Sequence, residues 1–278
     1  MDRVILAGGG PMACSALKSL QEYFSIVELC SEDEDVRDLV REKDTFIEDF
    51  RDSPTSLVVC MGYNTIISKE TLETKTIINN HPALLPKYRG SHGLVWSMLN
   101  FEKELGFTIH LMNEFIDDGD ILEQYKFTYE NQTSNEAMSL FDAYIRNNLG
   151  RVVKDFTLKK ITPIKQDRSL ATWVTRRNYS DCVIDFDSSE AMIHRLFRVL
   201  VRPYPLPMLR IKNKLYEIDG YKFKRVEYFM HLGRVVNIEG DEVFIKTREG
   251  ILIVNSLIRR KTQERHKAAD LLFIGQRL

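Results

Sequence analysis

The stretch INNHPALLPKYRG, residues 78–90, leaves an apolar, strand-like run through two asparagines into a histidine followed by proline. A turn requires only one Asn or Pro, so Asn79, Asn80, His81 and Pro82 together need a further reason. Asn and His side chains donate hydrogen bonds, and histidine exchanges a proton near neutral pH. A polar strand end with a capping asparagine also fits, so the stretch alone leaves a structural and a chemical role open.

Short apolar runs alternate with segments of helical spacing on both sides of this stretch. RVILAGGG predicts a strand closed by a glycine turn, and PMACSALKSLQEY predicts a helix that begins at Pro11. The acidic segment 32–52 has apolar residues at near-helical spacing, which predicts a solvated helical layer. Further strands are predicted at SIVELC (25–30), SLVVCMGY (56–63), TIINNHP (76–82) and LGFTIHLMN (105–113), and further helices at TIISKETL (65–72), SHGLVWSMLN (91–100) and 134–161, the last capped by Ser134. This alternation, up to about residue 160, indicates an α/β, Rossmann-like fold with a parallel sheet.

The pattern changes at TPIKQDRS, residues 162–169, which is polar and carries a proline. A helical pattern over 188–201 and the proline-rich VRPYPLP follow. Between 205 and 260, short β-like runs are separated by the hairpin turns IEGDE and REG, which predicts a small antiparallel β-barrel, OB-like, or a sandwich. We therefore predict two domains, a catalytic one over 1–165 and a helix-plus-barrel one over 166–278.

Composition and charge restrict the class of protein. The 278 residues carry a net charge of −1, so the whole molecule is not an electrostatic nucleic-acid binder. The charge is uneven, because residues 31–54 hold ten Asp/Glu and four Lys/Arg, whereas residues 209–278 hold fifteen Lys/Arg and nine Asp/Glu. The four cysteines show no CxxC pairing, which predicts reduced core residues and no metal site. With no signal peptide or membrane-length apolar run predicted, we expect a cytoplasmic protein.

Two glycine-containing loops are candidates for binding ligands. The GGGP turn at 8–11 lacks the spaced glycines of a dinucleotide site, although the amides of Gly9 and Gly10 at a helix start could hold a phosphate. EFIDDGDIL, residues 114–122, places three aspartates around a glycine but does not fit a calcium loop. It follows a strand predicted to be parallel, as NNHP does, so an Asn, a His and an Asp could meet at the carboxyl edge of the sheet.

Taken together, NNHPALLPKYRG and GFTIHLMNEFIDDGDIL resemble the motifs of the folate-dependent formyltransferases, which act on methionyl-tRNA, glycinamide ribonucleotide or amino sugars. The resemblance places the catalytic triad of that family on Asn79, His81 and Asp117, with Thr108 and His110 in the strand between the motifs. RRNYSDCVIDF, VRPYPLP and KAADLLFIGQRL resemble the tail of the tRNA and sugar enzymes, whose C-terminal domain is a small β-barrel. The resemblance thus covers nearly the whole chain.

The resemblance implies formyl transfer from N10-formyltetrahydrofolate to an amine, through a tetrahedral intermediate that carries an oxyanion, with no metal. Asn79 and protonated His81 would donate hydrogen bonds to that oxyanion. Asp117 would orient the imidazole and, through water, help remove the proton of the amine. Pro82 would restrict the backbone after His81, and we expect Asn80 to be structural. The same expectation applies to His110.

Further site residues follow from the same resemblance. MGYNTIIS and MNEFID match the loops that line the pterin pocket, which implies the contacts Tyr63, Asn64, Ile66, Ile67, Met112, Asn113, Glu114 and Phe115. For the acceptor we expect contacts from Lys87, Arg89, His92, Arg198 and Arg202, with Gly9 and Gly10 as further candidates.

The acceptor is the open choice within the family. The methionyl-tRNA enzymes have a basic insertion after the second strand, where this chain has the acidic SEDEDVRDLV, residues 31–40. We therefore expect an amino-deoxy sugar linked to dTDP, GDP or UDP, used for a bacterial surface polysaccharide such as O-antigen, and a homodimer. The basic run 259–267 keeps methionyl-tRNA as the alternative. Glycinamide ribonucleotide ranks third, and a non-enzymatic scaffold with an oligonucleotide-binding barrel remains an alternative from another class.

Overall fold

The structure is a computed structural model. It describes residues 2–63 and 65–278. The chain forms two compact units. The first comprises the residues up to Glu130 together with Asn135–Arg176, and the second comprises Asn131–Ser134 and Arg177–Leu278. Residues 166–176, which we predicted to open the second domain, lie in the first unit.

The first unit contains a sheet with helices along it. Its strands are β1 (Arg3–Gly8), β2 (Ile26–Cys30), β3 (Thr45–Phe46), β4 (Leu57–Met61), β5 (Thr76–His81), β6 (Arg89–Gly90), β7 (Glu104–Leu111), β8 (Ile121–Thr128) and β9 (Trp173–Val174). Its helices are α1 (Pro11–Tyr23), α2 (Glu34–Arg37), α3 (Lys69–Thr74), α4 (Gly93–Leu99) and α5 (Ser134–Thr157), the last starting at the boundary of the units.

The main sheet has seven strands in the order β3-β2-β1-β4-β5-β7-β8. The first five are parallel, which confirms the Rossmann-like α/β prediction. The prediction that β7 is parallel is wrong, because β7 runs antiparallel to β5 with Asn79 opposite His110 and His81 opposite Thr108. Thr108 fixes this register, since its hydroxyl donates to the carbonyl of Ala83 at 2.7 Å, just beyond the end of β5.

The acidic segment after β2 is mostly not helical, contrary to the prediction, because it contains only α2 and the two residues of β3. The buried carboxylate of Asp44 explains the difference. It accepts hydrogen bonds from the backbone amides of Val27 (2.9 Å) and Arg41 (3.0 Å) and from the side chain of Gln21 (2.9 Å). Such side-chain bonds to the backbone compete with helical hydrogen bonds and hold the segment against α1 and β2.

The second unit is built from antiparallel strands, as predicted. They are β10 (Met208–Ile211), β11 (Lys214–Ile218), β12 (Tyr221–Arg225), β13 (Val235–Glu239), β14 (Glu242–Lys246), β15 (Gly250–Val254), β16 (Ser256–Arg259) and β17 (Arg265–Lys267), with helices α6 (Glu190–Val199) and α7 (Ala268–Leu271). They form two four-stranded sheets, β10-β11-β16-β17 and β12-β15-β14-β13. Both sheets contribute to one apolar core, for example through Leu209, Leu257, Ile245 and Leu252.

Helix α5 packs closely on α1 at a glycine. The amide of Gly150 donates to the hydroxyl of Ser19 at 2.9 Å. A Cβ at this position would lie 2.2 Å from the carbonyl oxygen of Ser19 and 2.6 Å from the ring of Tyr23. The two helix backbones therefore approach more closely than any side chain at residue 150 would allow.

We predict that Gly150→Ala destabilises the protein by about 1–3 kcal/mol, because the added methyl group forces the two helices apart. Urea denaturation followed by circular dichroism measures this change. Asn147→Ala, at an exposed position of the same helix, is the matched control and should leave stability unchanged or raise it slightly. Equal midpoints for the two variants would contradict the close packing at Gly150.

Candidate active site

The carboxylate of Asp117 joins three segments of the first unit. Asp117 lies in the loop 112–120 between β7 and β8. Its Oδ2 is 3.4 Å from Nδ1 of His81 at the end of β5, and it accepts a hydrogen bond from the amide of Gly90 at 2.8 Å. Its Oδ1 is 3.6 Å from Nε2 of His110 on β7. The structure thus brings His81 and Asp117 together, although they are far apart in the sequence.

The imidazole of His81 is fixed on both sides. Its Nε2 lies 2.8 Å from the carbonyl oxygen of Tyr88, and because a carbonyl only accepts, this nitrogen carries the proton. The ring is 3% exposed. Gly93, at the start of α4, lies against it, and a Cβ there would be 2.9 Å from Nε2. The orientation of the ring is therefore set by its surroundings rather than by solvent.

Burial and charge act on the two groups in opposite directions. Burial lowers the pKa of His81 below its ordinary value, and the charge of Asp117 partly opposes this shift. Burial alone would raise the pKa of Asp117, but its contact with His110, the charge of His81 and the amide of Gly90 hold that pKa at about 2. At neutral pH the pair consists of a carboxylate beside a neutral imidazole.

Asn79 and Asn80 have different environments, as their alternation along β5 requires. Asn80 donates to the carbonyl oxygen of Cys60 on β4 at 3.0 Å, which agrees with the structural role that we predicted. Asn79 shares the face of His81, two residues away. Its side-chain amide makes no hydrogen bond to any residue that the structure describes. It therefore keeps its donors available for a ligand.

His110 belongs to this site, although the sequence suggested only a structural role. Its Nδ1 lies 2.7 Å from the carbonyl oxygen of Leu111, which leaves Nε2 directed at Asp117. The antiparallel register places His110 opposite Asn79. The motif marked this position, but its direction could not be inferred while β7 was taken as parallel.

A second aspartate holds the loop rigid. The carboxylate of Asp118 is buried and pairs with Nη1 of Arg89 at 2.7 Å and with the guanidinium of Arg168 at 2.5 Å. Gln166 donates to the carbonyl oxygens of Asp117 at 2.8 Å and Gly119 at 2.7 Å. These contacts fix the loop backbone, including the positive φ of 51° at Asp117.

The predicted acceptor contacts have other partners in the structure. Arg89 is buried against Asp118 and Gln166, so it supports the loop rather than presenting its charge to solvent. Lys87 pairs with Glu102 at 3.1 Å, and His92 precedes α4 with a left-handed backbone. In the second unit, Arg198 donates to the carbonyl of Asn131 and Arg202 pairs with Glu217.

The predicted phosphate position at Gly9 and Gly10 is already occupied by a side chain of the protein. The amide of Gly10, at the start of α1, donates to Oδ2 of Asp33 at 2.7 Å. The same carboxylate approaches Gly9 closely, since a Cβ there would lie 3.0 Å from Oδ2. A helix start that already binds a carboxylate is a poor site for a phosphate.

The residues predicted to line a pterin pocket lie in the loops after β4 and β7, the two strands that flank β5. Tyr63 packs edge-on against Phe50 at 5.7 Å, and Ile67 and Met112 pack against the same buried cluster. Ile66 is 96% exposed. In the second loop, Asn113 bonds to Asp118, Phe115 is largely exposed and Glu114 is also exposed. Asn64 lies outside the described residues.

Comparison with known families agrees with this geometry. The family described as formyl transferase matches residues 12–140, and the family described as formyl transferase, C-terminal domain, matches residues 177–273. The chain belongs to the formyltransferase family. The resemblance inferred from its two motifs is therefore confirmed.

A named relative and two solved structures are similar to this chain. The methionyl-tRNA formyltransferase of Clostridium novyi is 29% identical over 221 residues, which are 78% of this chain and 71% of the relative. The N-formyltransferase of Helicobacter canadensis, solved with folinic acid and dTDP-3-aminofucose, shares the fold with a TM-score of 0.68 and 18% identity, covering 91% of this chain and 98% of that one. HypX from Aquifex aeolicus, solved with tetrahydrofolic acid, shares the fold with a TM-score of 0.65 and 16% identity. This chain is covered to 98% by that match but spans only 47% of HypX.

Across the described residues, no helix of this formyltransferase has the length and apolarity that a membrane span requires.

We predict that Asp117→Asn lowers the pKa of His81 further. The carboxylate is the main group that raises this pKa, so its loss removes most of the opposition to the effect of burial. NMR titration of the histidine ring carbons measures the shift, with His81 assigned from a His81→Asn variant. Asp120→Asn, in the same loop, is the control and should leave the titration unchanged. A His81 pKa that stays constant or rises in Asp117→Asn would contradict the described pair.

Proposed function

We propose that this formyltransferase moves a formyl group from N10-formyltetrahydrofolate to the amino group of a nucleotide-linked amino-deoxy sugar, in the cytoplasm. The observation that carries the reaction is the Asp117–His81 pair beside the unengaged amide of Asn79. An amide donor, an imidazole and an ionised carboxylate at one strand end are the groups that acyl transfer to an amine requires. Formation of a bacterial surface polysaccharide such as O-antigen is the corresponding biological role.

The loops after β4 and β7 fit a folate, which supplies the formyl group when bound. Ile66 and Phe115 present apolar surface to solvent, and the ring of Tyr63 packs edge-on against the buried ring of Phe50. The second loop is held rigid by Asp118, so its backbone groups are preorganised for a planar ring. Solved relatives that contain tetrahydrofolic acid or folinic acid support this assignment of the donor.

The triad residues divide the chemistry between them. As the acceptor nitrogen bonds to the formyl carbon, negative charge develops on the formyl oxygen, and Asn79 donates its amide hydrogen to that oxygen. The acceptor amine loses one proton, and the bond from the formyl carbon to N10 breaks as N10 gains one. His81 keeps a proton on Nε2 and, on taking a second at Nδ1, becomes an imidazolium. Asp117 balances this charge, and with a pKa of about 2 it serves as a charge partner rather than a strong base.

The acidic segment after β2 supports a small acceptor rather than tRNA. Asp33 ties this segment to Gly10, immediately after β1 at the carboxyl edge of the sheet. In the described part of the chain, most of its carboxylates form no ion pair, namely those of Glu32, Asp33, Glu34, Asp35, Asp38, Glu42, Glu48 and Asp52. An uncompensated negative surface at that edge repels an RNA backbone, whereas a sugar nucleotide carries only a few charges.

A solved structure supports the same acceptor class. The Helicobacter canadensis enzyme, solved with dTDP-3-aminofucose, matches over nearly its whole length. The homodimer stays a prediction.

Methionyl-tRNA is the second candidate acceptor, and one observation favours it. A cleft of about 450 Å³ in the second unit is lined by Tyr179, Lys214, Arg259, Arg260 and Lys261. The guanidinium of Arg260 lies 4.4 Å from the ring centre of Tyr179. Clustered cations beside an aromatic ring are typical of phosphodiester-binding surfaces. The relative from Clostridium novyi is named for the same acceptor.

We predict that an amino-sugar nucleotide is formylated in preference to methionyl-tRNA. The assay offers labelled formyl donor with a panel of amino-deoxyhexose nucleotides and methionyl-tRNA at equal concentrations. A variant with Glu34→Lys and Asp35→Lys, both exposed on α2, should raise the rate with tRNA without changing the rate with the sugar nucleotide. Label on methionyl-tRNA and on no sugar nucleotide would refute the proposed acceptor.

A further inference from the structure

Trp173 is an exposed aromatic residue at the edge of the site, and the motifs do not include it. Its side chain is 67% exposed although indole is the largest side chain of proteins. Trp173 lies in β9, opposite Arg89 of β6, and the next residue of β6 is Gly90. The amide of Gly90 donates to Asp117, so β6 connects the strand that carries Trp173 to the catalytic carboxylate.

The segment that carries Trp173 is held firmly in place. The amide of Arg89 donates to the carbonyl of Thr172 at 2.9 Å, and the amide of Tyr88 donates to the hydroxyl of Thr172 at 2.9 Å. On the other side, the indole of Trp96 donates to the carbonyl of Thr175 at 2.8 Å. The exposure of Trp173 is thus a property of a braced strand rather than of a loose loop.

The guanidinium of Arg89 lies near one face of the indole. It is 5.9 Å from the ring centre, within the range of a cation–π contact. Asp118 and Gln166 hold that guanidinium, so it cannot follow the ring into solvent. The indole N–H makes no hydrogen bond within residues 2–63 and 65–278. The result is a rigid aromatic surface with an open face and a free donor.

The second arginine partner of Asp118 repeats this arrangement. The guanidinium of Arg168 lies 5.5 Å from the ring centre of Phe115, which is also largely exposed. Phe115 belongs to the loop that we assign to the pterin. Trp173 is therefore a second exposed aromatic surface, and both surfaces lie beside an arginine that pairs with Asp118. A second planar group could stack on it.

We propose that Trp173 is the platform on which the base of the acceptor nucleotide stacks, an inference that rests on the proposed function. The reaction has two planar groups to place, the pterin of the donor and the base of the acceptor. Ribose and diphosphate separate the base from the amino sugar, so its platform has to lie away from His81. Every base has a π-face, so stacking binds the nucleotide without selecting strongly among dTDP, UDP and GDP.

Steady-state kinetics of three variants test the platform. In Trp173→Ala the KM for the sugar nucleotide should rise about 5- to 150-fold, because stacking contributes about 1–3 kcal/mol per base. The kcat and the KM for N10-formyltetrahydrofolate should change little. Trp173→Phe should restore most of the affinity, since it keeps an aromatic face. Leu170→Ala removes a neighbouring exposed apolar side chain and is the matched control.

Fluorescence gives a reading that does not depend on turnover. The chain has two tryptophans, Trp96 and Trp173. Binding of dTDP, UDP or GDP alone should quench the emission of the natural protein, and the quench should disappear in Trp173→Phe while calorimetry still detects binding. An unchanged KM in Trp173→Ala, with formylation of the sugar nucleotide intact, overturns the platform and leaves the proposed function standing. If no sugar nucleotide is formylated and no nucleotide binds, the proposed function itself fails.

Discussion

The carboxylate of Asp117 is the group on which the site depends, and its position requires a backbone conformation that few residues adopt readily. Its φ of 51° is in the left-handed region, which aspartate tolerates better than most side chains. Asp118 next to it supplies the compensation, since its buried pair with Arg89 and its contact with Arg168 anchor the loop. Removal of one partner of such a buried pair costs about 3–5 kcal/mol, because the other charge remains buried. The ion pairs of Asp118 therefore offset the unfavourable backbone conformation of Asp117.

In our proposal, the residues that transfer the formyl group differ from the residues that select the acceptor. His81 is buried at the end of β5, and Asp117 contacts it from the loop after β7. The acidic segment after β2 and the exposed Trp173 lie outside that pair. We propose that they act on the remainder of the acceptor, by repelling a polyanion and by offering a stacking surface. In this proposal, the groups that select the acceptor are separate from the groups that transfer the formyl group.

Several parts of this structure could be predicted from the sequence, and the reasons for the failures are physical. The strand runs of the parallel part were recognisable because strands buried on both faces are continuously apolar. The direction of β7 was not, because periodicity is the same for parallel and antiparallel strands, and the contact of His110 with Asp117 was missed for that reason. The pattern of the acidic segment suggested a helix, but the bonds of Asp44 to Val27 and Arg41 are tertiary contacts that no local spacing shows.

The predicted acceptor residues show the same limit. Arg89 was expected to meet a ligand because it is a cation near the expected cleft, yet its partner Asp118 is 29 residues away in the sequence. Gly10 was expected to offer its amide to a phosphate, but Asp33 reaches that amide first. The motif indicates the proposed catalytic residues, whereas the partners that orient them are set by the tertiary fold.

The most direct test of this account is the rate of formyl transfer by His81→Asn and Asp117→Asn, measured with saturating donor and acceptor, together with calorimetric titration of a folate analogue. The account predicts a rate lower by on the order of a hundredfold or more in each variant, because the proton-carrying group or its charge partner is lost, with folate affinity unchanged. Near-normal turnover in either variant would contradict the assignment of the Asp117–His81 pair as the centre of catalysis.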